Sequence, residues 1–491
     1  MDMEKGFIGI DLGTSAVKLL LLDEAGNVIR TVSEEYPLSF PKPGWSEQNP
    51  EDWFEKTMKG LTRLVHGYED KITGISFGGQ MHGLVVLDDR DRVIRPAILW
   101  NDGRTSEECE YLNGEIGRDV LSHETGNIAF AGFTAPKLLW MKKNEPEFFA
   151  RIDKIMLPKD YLAYRMTGVH ATDASDASGM LLFDVRNRKW SDRMCEICSI
   201  STDQLAKVYE SYEVIGSLRP DITAALGLPN EVRVIAGAGD NAAAAVGTGT
   251  VGNGDCNISL GTSGTIFIAA DSFSVDQRNA LHSFAHATGR YHLMGCMLSA
   301  ASCNKWWMED ILNNSDMVKA QKEIGELGRN HVYFLPYLMG ERSPHNDPDA
   351  RAAFVGMSMD STRGDMLQAV FEGVAFGLRD SLEVARSAGL EIHKTKICGG
   401  GAKSPLWRKI VANVMNLSVE TVEAEEGPAM GGALLAAVGC GIYPDVRTAA
   451  DAVVRISGTE VPDPALVALY EERYRIFRKI YPALRPIYGE L

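Results

Sequence analysis

The sequence predicts an α/β protein that contains two copies of one domain. The first observation is that Leu12-Gly13-Thr14-Ser15 follows an apolar stretch and recurs as Leu260-Gly261-Thr262-Ser263 near the middle of the chain. The second is that ISFGGQ, at residues 75–80, has a counterpart in KICGGG, at residues 396–401. Each copy has the pattern of a strand, a glycine turn and polar residues, and strands alternate with helical patterns. The predicted fold is therefore an internally duplicated α/β fold.

Chain length agrees with two domains. With 491 residues, the chain exceeds the size at which single hydrophobic cores stop growing. Hydrophobic residues make up 45% and charged residues 24%, which is the balance of an ordinary globular protein. We place the domains at residues 1–246 and 247–491, because residues 247–254 are rich in glycine and suit a hinge.

Charge and apolar content disfavour several classes of partner. The net charge is −16 and no block of lysine or arginine stands out, which argues against nucleic acid or an anionic membrane. No apolar run approaches the ~20 residues that span a bilayer. The charged start, MDMEKGFIGID, is not typical of a signal peptide. Scattered cysteines fit reduced thiols, so we expect a cytoplasmic protein. The oligomeric state stays open, with a homodimer as one alternative.

The individual elements follow from hydrophobic periodicity and turn residues. Leu367, Val370, Phe371, Val374 and Leu378, for example, have the spacing of one buried helical face. In chain order we predict a hairpin over 7–23, a helix over 53–65, strands over 74–77 and 97–100, mainly helices over 105–220 with a polar loop of small residues at 173–178, a strand over 232–236, a helix start over 242–246, a hairpin over 257–270, a helix over 365–388, a strand ending at 398, a helix ending at 415, an Ala-rich helix after 432 and a last helix over 466–481. Whether that last helix packs back on the first domain stays open.

Asp240 occupies an unusual place in this pattern. It follows the strand over 232–236 and precedes an Ala-rich run, so it lies at a strand end above a helix N-terminus. Backbone N–H groups at such a terminus attract anions, and a carboxylate placed there indicates a functional site. A structural N-cap is the competing interpretation, because Asp is a favoured cap. A dinucleotide site is disfavoured, since the second Leu-Gly-Thr-Ser turn stands where an acidic residue is needed.

The repeated turns suit phosphate groups. Thr14-Ser15 in the first copy and Thr262-Ser263 in the second supply hydroxyls beside backbone N–H groups. Each turn alone is also compatible with an ordinary tight hairpin, but the repetition favours a phosphate role. Asp11 precedes the first turn, whereas Ser259 stands at the same place in the second. The pattern therefore indicates an acidic, metal-facing role in one half only.

Polar and aromatic side chains follow two further predicted strands. Gln80-Met81-His82 comes after the strand over 74–77, and Trp100-Asn101-Asp102 ends the strand over 97–100. Strand ends of open α/β sheets line the ligand crevice. An aromatic ring, an imidazole, an amide and a carboxylate at one crevice are typical of a polyol site. A hydrogen-bonded core histidine is the alternative interpretation of His82.

Three other patterns receive no chemical role. The histidines of residues 282–292 lie in a predicted hairpin, and no acid or cysteine completes a zinc set. Cys195-x-x-Cys198 is a lone pair in helical sequence, without the context of a redox motif. Residues 399–404 contain Lys403-Ser404, but the spacing of a phosphate-binding P-loop is absent.

Eight stretches carry a resemblance to a known family: GIDLGTSAVK, GGQMHG, AILWNDGR, AGDNAA, SLGTSG, GERSPHNDP, CGGGAKSPLWRKI and EEGPAMGGALLA. Each is short, but all eight in this order are specific, and they extend over essentially the whole chain. The sequence resembles the FGGY carbohydrate kinases, within the actin, hexokinase and Hsp70 ATPase superfamily. The resemblance implies two actin-like, ribonuclease H-like domains around a central cleft, with ATP and Mg²⁺ as cofactors and a small-molecule sugar as substrate.

The resemblance also implies roles for particular residues. Asp240 would be the catalytic base that accepts the proton of the sugar hydroxyl, and Asp11 and Asp240 would hold Mg²⁺. Asn241 would contact the sugar together with Gln80, Met81 and His82, and Trp100 would border it. The expected nucleotide contacts are Thr14, Ser15, Gly261, Thr262, Ser263, Gly400, Gly401 and Ala402.

The identity of the sugar is less sharply defined. Residues 80–82 and 100–102 favour D-xylulose, whose terminal hydroxyl would receive the γ-phosphate to give D-xylulose 5-phosphate. Ribulose, gluconate, a deoxy-ketose or a polyol such as a tetritol stays open, because a few hydrogen bonds decide between epimers. A non-catalytic nucleotide switch or chaperone-like ATPase is the alternative from another class. Gly78, Ala238 and Gly432 depart from the family's usual residues, but all three are small-for-small changes.

Overall fold

The computed structural model describes residues 3–423 and 427–491. Two seven-stranded sheets of mixed parallel and antiparallel strands, together with helices, form the molecule, and the predicted α/β class is confirmed. Glu425 and Glu426, which open the last of the eight stretches, lie outside the described residues. None of the helices within those two ranges combines the length and the apolarity needed to cross a bilayer.

The secondary structure comprises the following elements in chain order. The strands are β1 (Gly6–Leu12), β2 (Ala16–Asp23), β3 (Val28–Glu35), β4 (Glu47–Gln48), β5 (Ile72–Gly79), β6 (Val85–Leu87), β7 (Ala97–Ile98), β8 (Lys154–Met156), β9 (Ala171–Asp173), β10 (Phe183–Asp184), β11 (Lys189–Trp190), β12 (Lys207–Tyr209), β13 (Val214–Ser217), β14 (Arg233–Ile235), β15 (Ala238–Gly239), β16 (Cys256–Leu260), β17 (Gly264–Ala270), β18 (His282–Ala285), β19 (Tyr291–Met297), β20 (Tyr333–Leu335), β21 (Ala353–Val355), β22 (Lys394–Cys398), β23 (Ser418–Val422) and β24 (Ile456–Glu460). The α-helices are α1 (Pro50–Val65), α2 (Ser106–Glu110), α3 (Arg118–Thr125), α4 (Thr134–Asn144), α5 (Pro146–Phe149), α6 (Pro158–Thr167), α7 (Ala174–Ala177), α8 (Asp192–Cys198), α9 (Pro220–Leu226), α10 (Asp240–Gly247), α11 (Ala301–Lys305), α12 (Met317–Gln321), α13 (Arg363–Ser387), α14 (Pro405–Met415), α15 (Gly427–Gly439), α16 (Val446–Val453) and α17 (Pro464–Tyr488).

Both large sheets contain the same series of strands. In the first sheet the order is β3-β2-β1-β5-β14, with β1 antiparallel to β2 and parallel to β5. In the second sheet the order is β19-β17-β16-β22-β23, with β16 antiparallel to β17 and parallel to β22. The two Leu-Gly-Thr-Ser turns join equivalent strands, β1 to β2 and β16 to β17. The internal duplication that the repeats predict is therefore confirmed.

The structure differs from the predicted elements at three places. Residues 105–220, predicted to be mainly helical, also contain the short strands β8 to β13, which pair with one another or with strands outside this stretch. Residues 173–178 are not a loop, because the Asp173 carboxylate accepts a hydrogen bond from the backbone N–H of Ser175 at 2.8 Å and so caps α7. Helix α15 begins at Gly427, so the glycines predicted to precede it lie inside it. These glycines are inside the helix because α15 packs closely against α10, and only residues without a large side chain fit at that contact.

Helices α10 and α15 lie between the two sheets. Helix α15 comes from the second half but packs on the first sheet, where a Cβ at Gly9 would come within 1.8 Å of the Ala429 carbonyl oxygen. Helix α10 comes from the first half, and its Ala245 packs against Phe267 and Ala269 of β17. The two helices therefore join the halves of the molecule at the centre.

The last helix, α17, packs on the second half, which answers the question that the sequence left open. Tyr470 donates to the Glu372 carboxylate of α13 at 3.0 Å, and Arg473 donates to the same carboxylate at 2.7 Å. Tyr474 donates to Asp380, also on α13, at 2.6 Å. Residues of α17 belong to the same hydrophobic cluster as α13 and α14.

Candidate active site

Three polar segments meet at one edge of the first sheet. In the parallel register of β1, β5 and β15, Asp11 lies opposite Gly78, and Gly78 lies opposite Ala238. The loops that follow β1 and β5 contain residues 13–15 and 80–82, and residues 240–241, the start of α10, follow β15. Because neighbouring strands lie about 4.8 Å apart, these segments emerge side by side. The predicted site residues of the first half are thus brought to one edge.

Asp240 is the first residue of α10, and Gly239 is the N-cap. Its carboxylate accepts hydrogen bonds from the backbone N–H and the side-chain amide of Asn241, at 2.7 and 2.9 Å. A capping side chain sits one residue earlier and bonds N–H groups two or three residues ahead, so Asp240 is not the N-cap. Burial raises the pKa of Asp240 to about 6, although the bonds from Asn241 act in the opposite direction. The carboxylate is therefore largely ionised at neutral pH and able to accept a proton.

Asp11 lies on the face of β1 that is turned toward α15. Side chains alternate along a strand, and Gly9, two residues earlier, contacts Ala429 of that helix. The neighbouring Tyr36 hydroxyl donates to the carbonyl of Gly13. Burial, and to a lesser extent the negative charge of Asp11, raises the pKa of this phenol. The first glycine turn is therefore held beside a carboxylate.

The two acidic residues fit the sparse requirements of a magnesium ion. Among residues 3–423 and 427–491, no group of three or more His, Cys, Asp or Glu side chains could hold a metal ion by itself. Mg²⁺ keeps several waters and binds phosphate oxygens, so one or two hard carboxylate ligands suffice. Asp11, near the end of β1, and Asp240, directly after β15 of the same sheet, are carboxylates of the kind that such an ion requires.

Trp100 and Gln80 are both connected to the first turn. The indole Nε1 of Trp100 donates to Thr14 Oγ1 at 3.0 Å, and its side chain is 43% exposed. Gln80 is buried, and its Nε2 donates to Gln48 Oε1 at 3.1 Å. Gln48 in turn donates to the carbonyl of Thr14 at 2.6 Å. Thr14, which was predicted to contact the nucleotide, is thus linked directly to Trp100 and, through Gln48, to Gln80, two residues of the predicted sugar side.

His82 is held in a defined orientation and protonation state. Its backbone has φ 68°, its Nδ1 lies 2.8 Å from the carbonyl oxygen of Gly179, and its ring stacks on Phe133 at 4.7 Å. Burial lowers the pKa of His82 to about 3, so the ring is neutral at physiological pH. Because a carbonyl oxygen only accepts, Nδ1 carries the proton and Nε2 is the acceptor. Met81 packs against Gly239, where a Cβ would come within 2.9 Å of its side chain.

A cavity of about 650 Å³ adjoins Asp240 and extends into the second half. Its lining includes Asp240, Asn241, Thr248, Asn257, Ser259, Thr265, Phe267, Gly399, Gly400, Ala402, Lys403, Arg408 and Pro428. Of the three residues at 400–402 that are predicted to contact the nucleotide, Gly400 and Ala402 line the cavity. Gly401 is instead buried against Leu260 and Trp407. The volume is that of a small-molecule site.

The second glycine turn, residues 261–263, is not part of the lining given for this cavity, but Ser259 and Thr265 on either side of the turn line it. The backbone N–H groups of Ala300 and Ala301 donate to carbonyls of the turn at 2.9 and 2.8 Å, so the turn is tied to the start of α11. Gly399, with φ 87°, packs so closely that a Cβ would come within 2.7 Å of the Leu260 carbonyl. The hydroxyl-bearing residues of the turn are exposed.

An aromatic wall that the sequence analysis missed joins the two halves beside His82. Phe133 contacts both His82 and His282, at centroid distances of 4.7 and 5.5 Å. His282 in turn stacks on Phe284 at 5.4 Å. The hairpin predicted over 282–292 is present, and its histidines pack with phenyl rings. The alternation of His282 and Phe284 was visible in the sequence, but their approach to Phe133 was not, because it joins distant segments.

Arg342 adds a cation to this wall. Its guanidinium lies 5.1 Å from the ring centroid of Phe130. Burial is the main cause of the lowered pKa of His82, and the positive charge of Arg342 lowers this pKa further. The buried carboxylate of Glu341 accepts from the backbone N–H of Arg342 at 2.7 Å and from that of Leu298 at 3.0 Å. The GERSPHNDP stretch contains both residues, so the sequence marked the segment without placing it at the site.

Comparison with known proteins identifies the family. The model for the N-terminal domain of the FGGY family of carbohydrate kinases matches residues 7–247, and the model for its C-terminal domain matches residues 256–440. This chain belongs to the FGGY family of carbohydrate kinases. Its fold is accordingly the two-domain, actin-like fold of sugar kinases, and it is an enzyme that uses ATP. The domain division between residues 246 and 247 stays a prediction.

Individual relatives match over their whole length. The xylulose kinase of Escherichia coli strain K12 is 41% identical over 487 residues, which cover 98% of this chain and 99% of the relative. The crystal structure of a xyloylose kinase from Brucella ovis is 39% identical, with a TM-score of 0.94 and coverage of 98% and 100%. That of gluconate kinase from Lactobacillus acidophilus is 26% identical, with a TM-score of 0.94 and coverage of 99% for both chains.

Proposed function

We propose that this protein transfers the γ-phosphate of ATP to the terminal hydroxyl of D-xylulose and so forms D-xylulose 5-phosphate. The position of Asp240 carries the proposal. Its carboxylate borders the cavity that Gly400 and Ala402 line, and it follows the strand next to the loop of Met81 and His82. The carboxylate of Asp240 therefore adjoins both the proposed nucleotide site and the proposed polyol site. Full-length similarity to xylulose kinases supports the choice of sugar.

Asp240 is assigned the role of general base. The sugar oxygen attacks the γ-phosphorus, the bond from that phosphorus to the bridging oxygen of ADP breaks, and the hydroxyl proton passes to the Asp240 carboxylate. In a loose transition state this proton leaves late, so the carboxylate chiefly aligns the hydroxyl. The bonds from Asn241, at 2.7 and 2.9 Å, fix the carboxylate in place. Most of the catalysis is then positioning.

The phosphates of ATP are assigned to the two glycine turns and the loop of Gly400. Residues 13–15 and 261–263 present hydroxyls and backbone N–H groups, and Lys403 and Arg408 add positive charge to the cavity lining. Asp11, together with Asp240, would hold Mg²⁺. When bound, this ion would neutralise part of the negative charge of the phosphates.

The sugar is assigned to the side chains of His82 and Trp100. The neutral imidazole offers Nε2 as an acceptor for a sugar hydroxyl, because Nδ1 is committed to Gly179. The partly exposed indole of Trp100 offers an apolar face. Directed hydrogen bonds beside an apolar face are what a polyol requires.

Gluconate is the second candidate substrate, and Arg342 is the observation that favours it. Its guanidinium lies 5.1 Å from the Phe130 ring, in the same wall as Phe133 and His82. A guanidinium is well suited to bind the carboxylate of a sugar acid. The gluconate kinase of Lactobacillus acidophilus also shares this fold, at lower identity than the xylulose kinases.

The experiment that tests the function is ADP release from ATP and Mg²⁺ with a panel of sugars. We expect D-xylulose to give the highest kcat/KM, above its epimer D-ribulose, its enantiomer L-xylulose and D-gluconate. A higher kcat/KM for gluconate would keep the kinase activity and assign the site to a sugar acid. ADP release that no sugar on the panel stimulates would contradict the proposed function.

His82→Asn should raise the KM for the sugar by about 3–10-fold, the equivalent of one hydrogen bond. Asn tolerates the left-handed backbone that His82 adopts, with φ 68°, so the loop should keep its course. Steady-state kinetics with either substrate varied measures the effect, and the KM for ATP should stay the same. An unchanged sugar KM would show that the imidazole does not bind the substrate.

A further inference from the structure

Residues 173–180, which include the polar, small residues 173–178 that the sequence predicts as a loop, contact both the loop of His82 and the strand β15. The carbonyl of Gly179 accepts the hydrogen bond from His82 Nδ1 at 2.8 Å. Ser175 Oγ accepts a hydrogen bond from the backbone N–H of Gly239 at 3.1 Å. Gly239 directly precedes the proposed base. One short segment therefore bonds both the loop of Met81 and His82 and the strand that directly precedes Asp240.

A buried charge cluster lies behind this segment. The side chain of Lys159 is 1% exposed, and its Nζ lies 2.7 Å from Asp160, 2.8 Å from Asp173 and 3.6 Å from Asp176. Burial raises the pKa of Asp176, which limits the negative charge of the cluster. Separating such buried partners would leave charges unpaired, so the cluster holds its members in one geometry.

Asp173 connects this charge cluster to Ser175 by hydrogen bonds. Its Oδ2 accepts from the Ser175 backbone N–H at 2.8 Å, from Ser175 Oγ at 2.5 Å and from Ser211 Oγ at 2.8 Å. Because Asp173 Oδ2 is the acceptor in the bond to Ser175 Oγ, the hydroxyl proton of Ser175 is committed to Asp173. The lone pairs of Ser175 Oγ are then directed at the Gly239 N–H. The direction of every hydrogen bond in this chain is thereby determined.

We propose that Ser175 is a positioning residue for Asp240. Through the Gly239 N–H it connects the start of α10 to the Lys159–Asp173 ion pair, and so holds the carboxylate in line with the sugar hydroxyl. A misplacement of about 1 Å in a reacting group can cost about 10²-fold in rate. Ser175 itself is 0% exposed, so it is not assigned a contact with either substrate. The proposal rests on the proposed role of Asp240 as the base.

Ser175→Ala and Ser211→Ala form a matched pair for the test. Both variants delete a hydroxyl that donates to the same oxygen of Asp173, and both side chains are buried, at 0% and 1% exposure. Only Ser175 also bonds Gly239. We expect Ser175→Ala to lower kcat by about tenfold or more, with the KM for ATP unchanged. Ser211→Ala should keep kcat within about twofold, since it leaves Gly239 in place.

Three results would overturn the positioning role: a normal kcat in Ser175→Ala, equal losses of kcat in both variants, or a change confined to KM. If Ser175→Ala does not fold, Ser175→Cys replaces it. The Cys Sγ occupies the same position in the side chain as the Ser Oγ, but sulfur is only a weak hydrogen-bond acceptor, so the same loss of kcat is expected. Asp240→Asn, assayed in parallel, separates the two proposals. Normal turnover in that variant would reject the base itself, whereas an inactive Asp240→Asn beside a fully active Ser175→Ala would reject only the positioning role.

Discussion

Asp240→Asn is expected to lower kcat by about 10²–10⁴-fold, the contribution of a positioned general base, and to leave ATP binding nearly unchanged. The amide oxygen of the variant still accepts the hydrogen bonds that Asn241 donates at 2.7 and 2.9 Å, so the start of α10 is preserved. An amide cannot take the proton of the sugar hydroxyl. The measurement is steady-state kinetics of ADP release, combined with calorimetric titration of ATP.

Asp445→Asn is the matched control for this prediction. Asp445 is the N-cap of α16, where its carboxylate accepts from the Thr448 backbone N–H at 2.7 Å. It represents the competing interpretation of Asp240, a carboxylate that only stabilises a helix start. Asn is nearly as good a cap as Asp, so the control should keep both its stability and its kcat. If Asp240→Asn behaved like Asp445→Asn, a purely structural role would remain.

The sequence allowed the position of Asp240 to be predicted because the relevant information is local. A strand, a glycine pair and an Ala-rich run are consecutive, and the structure has β14, β15 and α10 at that place. The duplication was equally accessible, because each Leu-Gly-Thr-Ser turn lies within its own hairpin. Parallel strand ends meet at one edge by geometry alone, which brings the loops after β1 and β5 to Asp240.

The supporting residues could not be predicted, because their roles depend on contacts between distant segments. Ser175 bonds Gly239, and Phe133 lies between His82 and His282, but no local pattern indicates either pairing. The segment of Ser175 has turn-like composition, yet it is helical: Asp173 caps it, and Ser175 and Ser178 accept hydrogen bonds from Gly239 and Ala285 of distant segments. Small polar residues favour loops by propensity, and tertiary contacts override that preference here.

The contact between α10 and α15 shows how the fold itself positions Asp240. Asp240 begins α10, and the last residue of that helix, Gly247, lies so close to α15 that a Cβ would come within 2.0 Å of the Gly427 carbonyl oxygen. A Cβ at Gly431 would come within 1.8 Å of the Ala243 carbonyl oxygen. Backbone atoms on both helices cannot move aside as a flexible side chain would. Any side chain at these glycines must therefore shift α10 and α15 relative to each other, and we expect the carboxylate of Asp240 to move with α10.

Gly431→Ala is accordingly expected to destabilise the protein by about 3 kcal/mol, the upper end of the cost of overpacking, and to lower kcat as well. Gly114→Ala is the control: this glycine lies in a helical segment with no atom within 4 Å of its Cβ position, so the substitution should be neutral or stabilise by up to about 1 kcal/mol. Denaturant and thermal unfolding of both variants, with kinetics on the folded fraction, measure the two effects. Equal stability of the two variants would contradict close packing at the crossing. A destabilised Gly431→Ala with normal kcat would show instead that the orientation of Asp240 does not depend on α15.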